Sequence, residues 1–319
     1  MTQFINLSMI NSYGERDSFI KNKIRTVVFK NFSSNLLIVG NNTLTGQNAF
    51  CFSKDFPAKD MIILLYKAVE ELQIQIEKRG QKVHLVIYKD FPESQISLFE
   101  LPEFRPFYKF TTQPNMLFTI KEHWRTFDDY ITDLNKKYRD QFKRARKKSE
   151  GITKRKFTLE DIENHKDRIV ELYLNVAKKA PFNTFFLNED HFEIFKKALK
   201  DHFLFYGYFK DETLIGFNTL IKNGNDIDTY FLGYDENCQR EKMLYLNMLY
   251  DMIAYSINKG FKRIVFARTA LEIKSSVGAK PEVMYGFMKH NNHFINFFIS
   301  KLFHFFEPKT NWTERNPFK

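Results

Sequence analysis

The sequence is poor in cysteine. Its 319 residues include two cysteines, Cys51 and Cys238, which lie far apart and form no Cys-x-x-Cys pair. Disulfide frameworks and zinc sites need several suitably spaced cysteines or histidines, so neither is indicated. His290 and His293 stand three residues apart without a third ligand, and we expect no bound metal. Few cysteines are typical of a reducing compartment.

Long apolar runs are also missing. Nowhere do about 18 apolar residues follow one another, and the first residues lack the basic and apolar regions of a signal peptide. We therefore expect a cytoplasmic protein that contacts a membrane peripherally at most. Hydrophobic residues make up 43% of the chain, which is enough for one large core or two ordinary ones.

Acidic residues are outnumbered. Lysine and arginine total 49 and the acids 38, so the formal charge is +11. This balance favours an anionic partner, such as nucleic acid, an anionic membrane surface or a phosphate-bearing substrate. A composition biased towards lysine, phenylalanine and asparagine explains the same charge without any partner.

The second half of the chain shows clear periodicities. They predict a strand, two helices, a three-strand meander, a helix and a strand, over 152–157, 158–180, 188–200, 202–209, 213–222, 226–234, 243–259 and 261–267. A strand, helix and strand of this length imply a right-handed crossover and a parallel pair. The segment RTALEIKSSVGAKP, 268–281, therefore lies at the carboxyl end of a parallel strand, where α/β sheets bind ligands.

The first half repeats this unit in weaker form. A strand at 35–41, a helix at 58–79 and a strand at 81–88 follow the same order. We predict an N-terminal domain over 1–114 and a C-terminal domain over 115–319, which includes a basic helix at 127–150. The expected fold class is α/β (α+β), with mixed sheets flanked by helices.

This element order resembles that of the Gcn5-related N-acyltransferase (GNAT) fold. The duplication and the basic helix resemble the FemABX and FemAB-like transferases, which carry two GNAT domains in tandem. The N-terminal copy here is shorter. Those proteins carry a Phe-Lys-x-x-Phe-Gly signature, on which Ile273, Lys274, Val277 and Gly278 fall with both aromatics replaced by aliphatic residues.

The phosphate loop departs from the usual GNAT pattern. GNAT enzymes that use acetyl-CoA hold its pyrophosphate on a glycine-bearing loop, because glycine lets backbone N–H groups approach the phosphates. The corresponding segment, 235–245, retains Gln239 and Arg240 as candidate phosphate partners but contains no glycine. The FemABX proteins take an aminoacyl group from tRNA and do not need that loop, so the donor expected here is either aminoacyl-tRNA or acyl-CoA, and the sequence does not decide between them.

The resemblance also implies site residues. Lys274 would bind a donor phosphate or the reacting carbonyl oxygen, with Arg268 beside it. Apart from the resemblance, Glu272 is the candidate base for an amine, and Tyr230, or Tyr234 on the same strand, is the candidate proton donor to the leaving group. Because the family members do not all use a side-chain base, the alternative is a site that works by orientation alone. The plain alternatives are a surface lysine on a short helix and a Glu272 that pairs with Arg268 four residues earlier.

Two further segments have competing interpretations. The basic helix ends in cations that either bind a polyanion or only complement the helix dipole: Lys143, Arg144, Arg146, Lys147 and Lys148. The phenylalanine-rich stretch 293–308 either packs on its own domain or rests on a membrane as an amphipathic segment.

From these features we predict a bacterial N-acyltransferase. It would transfer an acyl or aminoacyl group to an amine, with a cell-envelope precursor as the expected acceptor. One alternative is an acyl-CoA-dependent N-acetyltransferase with an altered phosphate loop. The other is a non-catalytic module that binds RNA or another anionic ligand. The oligomeric state stays open.

Overall fold

The computed structural model describes residues 2–6, 35–53, 55–179, 186–306 and 312–319. The chain divides into two compact units. The first comprises Met1–Asn115 and Glu282–Asn311, and the second comprises Met116–Pro281 and Trp312–Lys319. The predicted domains, 1–114 and 115–319, therefore differ from the observed units in residues 282–311.

The first unit is built on a mixed sheet with the strand order β1-β2-β3-β12-β4. Its elements are β1 (Thr2–Asn6), β2 (Asn35–Val39), α1 (Ala58–Lys78), β3 (Leu85–Pro92), β4 (Tyr108–Thr111), β12 (Met284–His290) and α10 (His293–Phe306). Because α1 crosses between β2 and β3, these two strands pair in parallel. β12 pairs antiparallel with both β3 and β4, which is why residues 282–311 belong to this unit.

Aromatic side chains fill the core of the first unit. Phe91 and Phe99 have ring centroids 4.4 Å apart, and Phe99 lies 5.0 Å from Phe104 and 4.7 Å from Phe287. Phe287 comes from β12, so the late strand contributes to the hydrophobic core as well as to the sheet.

The second unit is built on a longer mixed sheet with the strand order β11-β5-β10-β9-β8-β7-β6. Its strands are β5 (Asn115–Thr119), β6 (Ile152–Lys156), β7 (Phe203–Lys210), β8 (Thr213–Asn223), β9 (Asp226–Tyr234), β10 (Arg263–Ala267) and β11 (Lys280–Glu282). Its helices are α2 (Phe127–Asp133), α3 (Lys136–Lys148), α4 (Leu159–Asn164), α5 (Lys166–Ala177), α6 (His191–Leu199), α7 (Glu236–Lys242), α8 (Leu244–Asn258) and α9 (Leu271–Ser276).

The predicted meander and crossover are confirmed. β7, β8 and β9 pair antiparallel in sequence order, and β9 pairs in parallel with β10. The crossover helix α8 is apolar on most of its surface, and its residues join the main hydrophobic core of this unit. Together with the first unit, this confirms the predicted fold class of mixed sheets flanked by helices.

Two predicted helices are interrupted. The basic helix expected over 127–150 divides into α2 and α3 at Leu134, whose backbone is extended and forms a bridge with Phe318. The next residue, Asn135, donates its N–H to the carbonyl oxygen of Pro317 at 2.8 Å. These partners come from the far end of the chain, so local periodicity does not reveal the break. The helix expected over 158–180 divides at His165 into α4 and α5.

Among the helices of the described residues, none combines the length and the hydropathy needed to cross a membrane.

Candidate active site

Strands β9 and β10 separate at their carboxyl ends. Their parallel ladder contains three residue pairs and ends at Asp228 and Val265. β9 nevertheless continues to Tyr234 and β10 to Ala267. Beyond these residues the two parallel strands no longer pair with each other, and we call this part of the sheet, at the end where ligands usually bind in α/β proteins, the strand opening.

The turn that follows β10 has a strained backbone. Ala267, Thr269 and Ala270 have φ values of 58°, 66° and 47°, in the left-handed region that non-glycine residues rarely adopt. Each such residue costs about 1–3 kcal/mol and persists only where its surroundings hold it in place. Strain of this kind is concentrated at binding and catalytic sites, and here it lies beside the strand opening.

Lys274 holds this turn. Its Nζ donates hydrogen bonds to the carbonyl oxygens of Phe266 and Arg268 at 2.6 Å each and lies 3.4 Å from that of Ala267. The side chain is buried, and burial lowers its pKa to about 7. The described contacts of the ammonium are thus with backbone, and they position the end of β10. A direct contact between Lys274 and the donor stays a prediction.

Glu272 faces the other side of α9. Its Oε1 accepts hydrogen bonds from Nε of Arg315, at 3.1 Å, and from Nη2 of the same side chain. The helical spacing had indicated Arg268 as the partner of Glu272. The structure instead pairs Glu272 with Arg315. Arg268 itself is half-buried, and burial lowers its pKa to about 10. Of the residues predicted to share one site, Glu272 and Lys274 therefore face opposite sides of α9.

A cleft of about 430 Å³ lies along the outer face of α9. Its lining comes from α3, from α9 and from the C-terminal segment 312–319, and includes Lys137, Tyr138, Gln141, Glu272, Ile273, Ser276 and Arg315. Most of the exposed lining surface is apolar, with a few charged and polar groups beside it. Such a lining suits a ligand with an apolar body and a small number of polar groups.

The glycine of the signature has a steric explanation. Gly278 has a φ of +107°, and a Cβ added to it would lie 2.5 Å from the ring of Phe318. The same ring packs on Trp124 at 5.5 Å and lies 6.0 Å from Tyr130. The C-terminal segment thus closes over the end of α9 only because residue 278 has no side chain.

The predicted phosphate partners lie on α7. Arg240 forms an ion pair with Glu236 at 2.6 Å, one turn earlier on the helix. The side-chain oxygen of Gln239 accepts the backbone N–H of Tyr245 at 3.3 Å, in the first turn of α8. In the usual GNAT arrangement the amides of this turn face a pyrophosphate. Here a glutamine from the same chain binds one of them, and a helical turn replaces the glycine loop.

Tyr230 lies beside α6. Its hydroxyl is 3.0 Å from Nε2 of His191, and its ring stacks on Phe195 at 5.1 Å. Burial lowers the pKa of His191, which favours the neutral imidazole. A neutral ring can form this hydrogen bond with the phenol. Sequence reasoning missed His191 because an isolated histidine carries no motif. Tyr234 instead faces Tyr245, and burial raises its pKa.

The basic helix exposes most of its cations. Lys143, Arg144, Lys147 and Lys148 are exposed along α3. Arg146 differs, because it forms an ion pair with Asp251 at 2.7 Å. The candidate polyanion surface therefore consists of four cations, and Arg146 belongs to the contact between α3 and α8.

No cluster of three or more histidine, cysteine, aspartate or glutamate side chains suited to a metal ion occurs within the described part of the chain.

Comparisons with solved structures show the fold. The C-terminal domain of a protein named as a lysylphosphatidylglycerol synthetase, from Agrobacterium fabrum, is 10% identical, with a TM-score of 0.52 over 84% of this chain and 82% of that one. FemX is 11% identical, with a TM-score of 0.51 over 86% and 83% of the two chains. A conserved protein of unknown function from Bacteroides thetaiotaomicron is 13% identical, with a TM-score of 0.50 over 70% and 75%.

A family model identifies the chain more specifically. No curated protein matches the sequence. The FemAB-like family model, described as peptidoglycan biosynthesis/recognition, matches residues 67–303. This match spans about half of the first unit, including β12, and nearly all of the second unit, including the strand opening and α9, and it supports a transferase. The chain belongs to the FemAB-like family.

Proposed function

We propose that this chain transfers an aminoacyl group from aminoacyl-tRNA to an amine of a cell-envelope precursor. The observation that carries the proposal is the opening between β9 and β10, bordered by a strained turn that Lys274 holds through three backbone carbonyls. Its setting in a family described as peptidoglycan biosynthesis/recognition supports an envelope precursor as the acceptor.

In the proposed reaction the acceptor amine attacks the ester carbonyl carbon of the donor. A C–N bond forms, the ester C–O bond breaks, and the ribose hydroxyl leaves with a proton. Glu272 takes one proton from the acceptor ammonium before the attack and releases it to solvent. Tyr230 donates its phenolic proton to the leaving ribose oxygen and takes the second proton from the attacking nitrogen, while Nε2 of His191, 3.0 Å away, positions the phenol.

The donor assignment rests on α7 and α8. An acyl-CoA in the usual GNAT position needs free amides at the start of α8, and one of them is bonded to Gln239. Aminoacyl-tRNA does not need that loop, and its phosphates suit the exposed cations of α3. Residues of α3 also line the cleft beside Glu272, so one helix contributes to both surfaces.

A transfer assay tests the proposal. The purified chain is incubated with labelled aminoacyl-tRNA or labelled acyl-CoA and with amine-bearing peptidoglycan precursors, and the labelled amide product is counted. We expect product from aminoacyl-tRNA. Product from acyl-CoA alone supports the N-acetyltransferase alternative, and tight RNA binding without product supports the binding module.

Matched variants separate catalysis from stability. Glu272→Gln removes the proposed base, and Glu314→Gln alters a nearby exposed glutamate that pairs with Lys280 at 3.1 Å. We expect Glu272→Gln to lower turnover about 100-fold or more, as loss of a general base does, while donor binding is retained. Glu314→Gln should keep the wild-type rate. Equal rates for both variants would contradict the role of Glu272.

A further inference from the structure

The helix α10 is fixed in its rotation about its own axis. Asn296 donates to the carbonyl oxygen of Pro106 at 2.9 Å and accepts the N–H of His290 at 2.8 Å. Asn292 caps the first turn by accepting two backbone amides, at 3.0 and 3.2 Å. Ile299 is buried against the sheet. These contacts decide which side of α10 faces the core and which faces outwards.

The outward side of α10 is apolar. Phe294 is 75% exposed and Phe297 is 80% exposed, more than the other exposed large hydrophobic residues among those described. Lys301 follows Phe297 by four residues and is also exposed. Spacings of three and four place these side chains on one stripe of the helix. Two solvent-exposed phenylalanine rings followed by a lysine are typical of the membrane-facing side of an interfacial helix.

The charge that α10 itself contributes to this stripe is basic. Residues 293–306 include no acidic side chain, and Arg105 and Lys109, on either side of the contact with Asn296, are exposed. The chain as a whole carries +11. At a bilayer surface, phenylalanine rings enter the acyl boundary while long basic side chains reach the phosphates. Anionic lipid matches both halves of this stripe.

We propose that α10 places the face formed by Phe294, Phe297 and Lys301 on an anionic membrane surface. This contact does not depend on the proposed transfer reaction, because its residues lie outside the candidate active site and its readout is binding. The lipid supplies phosphate charge for Lys301 and an apolar layer for the two rings.

A second copy of the chain suits this face less well. A phenylalanine buries about 150–250 Å², whereas a stable interface buries about 800 Å² on each partner. A two-fold dimer through this stripe would also place Lys301 near its own copy, which is a like-charge contact. Self-association is therefore an outcome for the test to detect.

Vesicle co-sedimentation tests the proposal with the full chain at low salt. Vesicles of phosphatidylglycerol and phosphatidylcholine in equal parts are compared with pure phosphatidylcholine. We expect binding to the anionic vesicles that falls with added salt. The double variant Phe294→Ser/Phe297→Ser should lower the partition coefficient about tenfold or more, and Lys301→Gln should lower it about fivefold. Leu64→Ser, at a residue of α1 that is 58% exposed, is the matched control and should bind as wild type does.

Several results would overturn the proposal. These are no binding by the wild-type chain, equal binding to both vesicles, or an equal loss in Leu64→Ser. A dimer that the double variant abolishes, without vesicle binding by the wild type, would assign the face to self-association. Thermal unfolding of each variant checks the fold. Phe297→Trp adds a measurement that needs no loss of binding, since brominated lipid should quench the new indole if the stripe enters the bilayer.

Discussion

Arg315 binds Glu272 across 43 residues of sequence, through Nε and Nη2 of one guanidinium. This contact attaches the C-terminal segment 312–319 to α9, and the backbone N–H of Arg315 adds a hydrogen bond to Oγ of Ser275 at 3.0 Å. The carboxylate predicted to serve as a base is therefore exposed but paired through Oε1 with the end of its own chain. An acceptor amine that binds the same oxygen must replace Arg315.

Loss of this ion pair should loosen the C-terminal segment. In Arg315→Gln we expect faster amide hydrogen exchange across 312–318 and little change in the sheet, because the pair is partly exposed and links the segment to α9 alone. Arg240→Gln, which breaks an exposed pair within one helix, is the control and should leave that segment protected. Exchange followed by mass spectrometry measures both. Unchanged protection in Arg315→Gln would mean that Phe318 and the backbone bonds suffice.

Gly278 should resist substitution more than other glycines with positive φ. Gly278→Ala adds backbone strain and also a contact with the ring of Phe318, and we expect a loss of about 2–4 kcal/mol in the free energy of unfolding. Gly260 has a φ of +73° with open space around it, so Gly260→Ala should cost about 1 kcal/mol. Urea denaturation measures both. Equal costs would show that the chain end does not press on residue 278.

The titration of Lys274 should appear as a dependence of stability on pH. The folded side chain has a pKa of about 7, and the ordinary value is 10.5. Between these values the unfolded chain binds more protons, so the free energy of unfolding should rise with pH, by at most about 1.4 kcal/mol per pH unit. Below pH 7 both states are protonated and the contribution is flat.

The comparison that isolates this effect uses two lysine variants. Lys274→Met should lose the rise across the window, whereas Lys280→Met, at an exposed lysine of β11, should keep it. Denaturation curves at several pH values measure the three slopes. Parallel slopes for wild type and Lys274→Met would show that the buried amine does not titrate there.

The four exposed cations of α3 and the half-buried Arg146 should have different roles: the first bind tRNA, and the second stabilises the fold. Charge reversal at Lys143, Arg144, Lys147 and Lys148 should weaken tRNA binding and flatten its salt dependence, by about 0.7–0.9 in log–log slope for each lost phosphate contact. Arg146→Gln should instead lower stability by about 1–2 kcal/mol, because it removes the 2.7 Å ion pair with Asp251, and should keep the salt slope. Asp251 would retain Lys154 at 3.6 Å and the hydroxyl of Tyr208 at 3.0 Å, which limits the loss. Filter binding at several salt concentrations and urea denaturation distinguish the two. A change of salt slope in Arg146→Gln would contradict this division.

Local sequence patterns predicted much of the second unit. The meander strands, α8 and β10 are rich in apolar residues that are buried almost continuously, and the turns within the meander are short. The position of RTALEIKSSVGAKP at the end of a parallel strand followed from that order alone. Elements whose partners are distant were predicted less well. β12 joins the first sheet, and the pairing of Leu134 with Phe318 divides the basic helix.

The contacts made by the side chains of α9 could not be predicted from the sequence. Positions 272 and 274 are two residues apart on a short helix, so they cannot face the same way. Lys274 turns towards the carbonyls of β10, and Glu272 turns towards Arg315, which lies far along the chain. Motif spacing selected these residues as candidates and could not assign their partners. Likewise, nothing in the pattern of α3 marks Arg146 as the cation that pairs with Asp251.

The most direct test of the central claim is the single-turnover rate of aminoacyl transfer in Lys274→Met and Lys280→Met. If the end of β10, as Lys274 holds it, is the site of transfer, Lys274→Met should slow transfer about 100-fold, since small displacements of reacting groups cost that much. Lys274→Arg should recover part of the rate, and Lys280→Met should match wild type. Circular dichroism confirms that each variant is folded. A folded Lys274→Met that transfers at the wild-type rate would contradict the account.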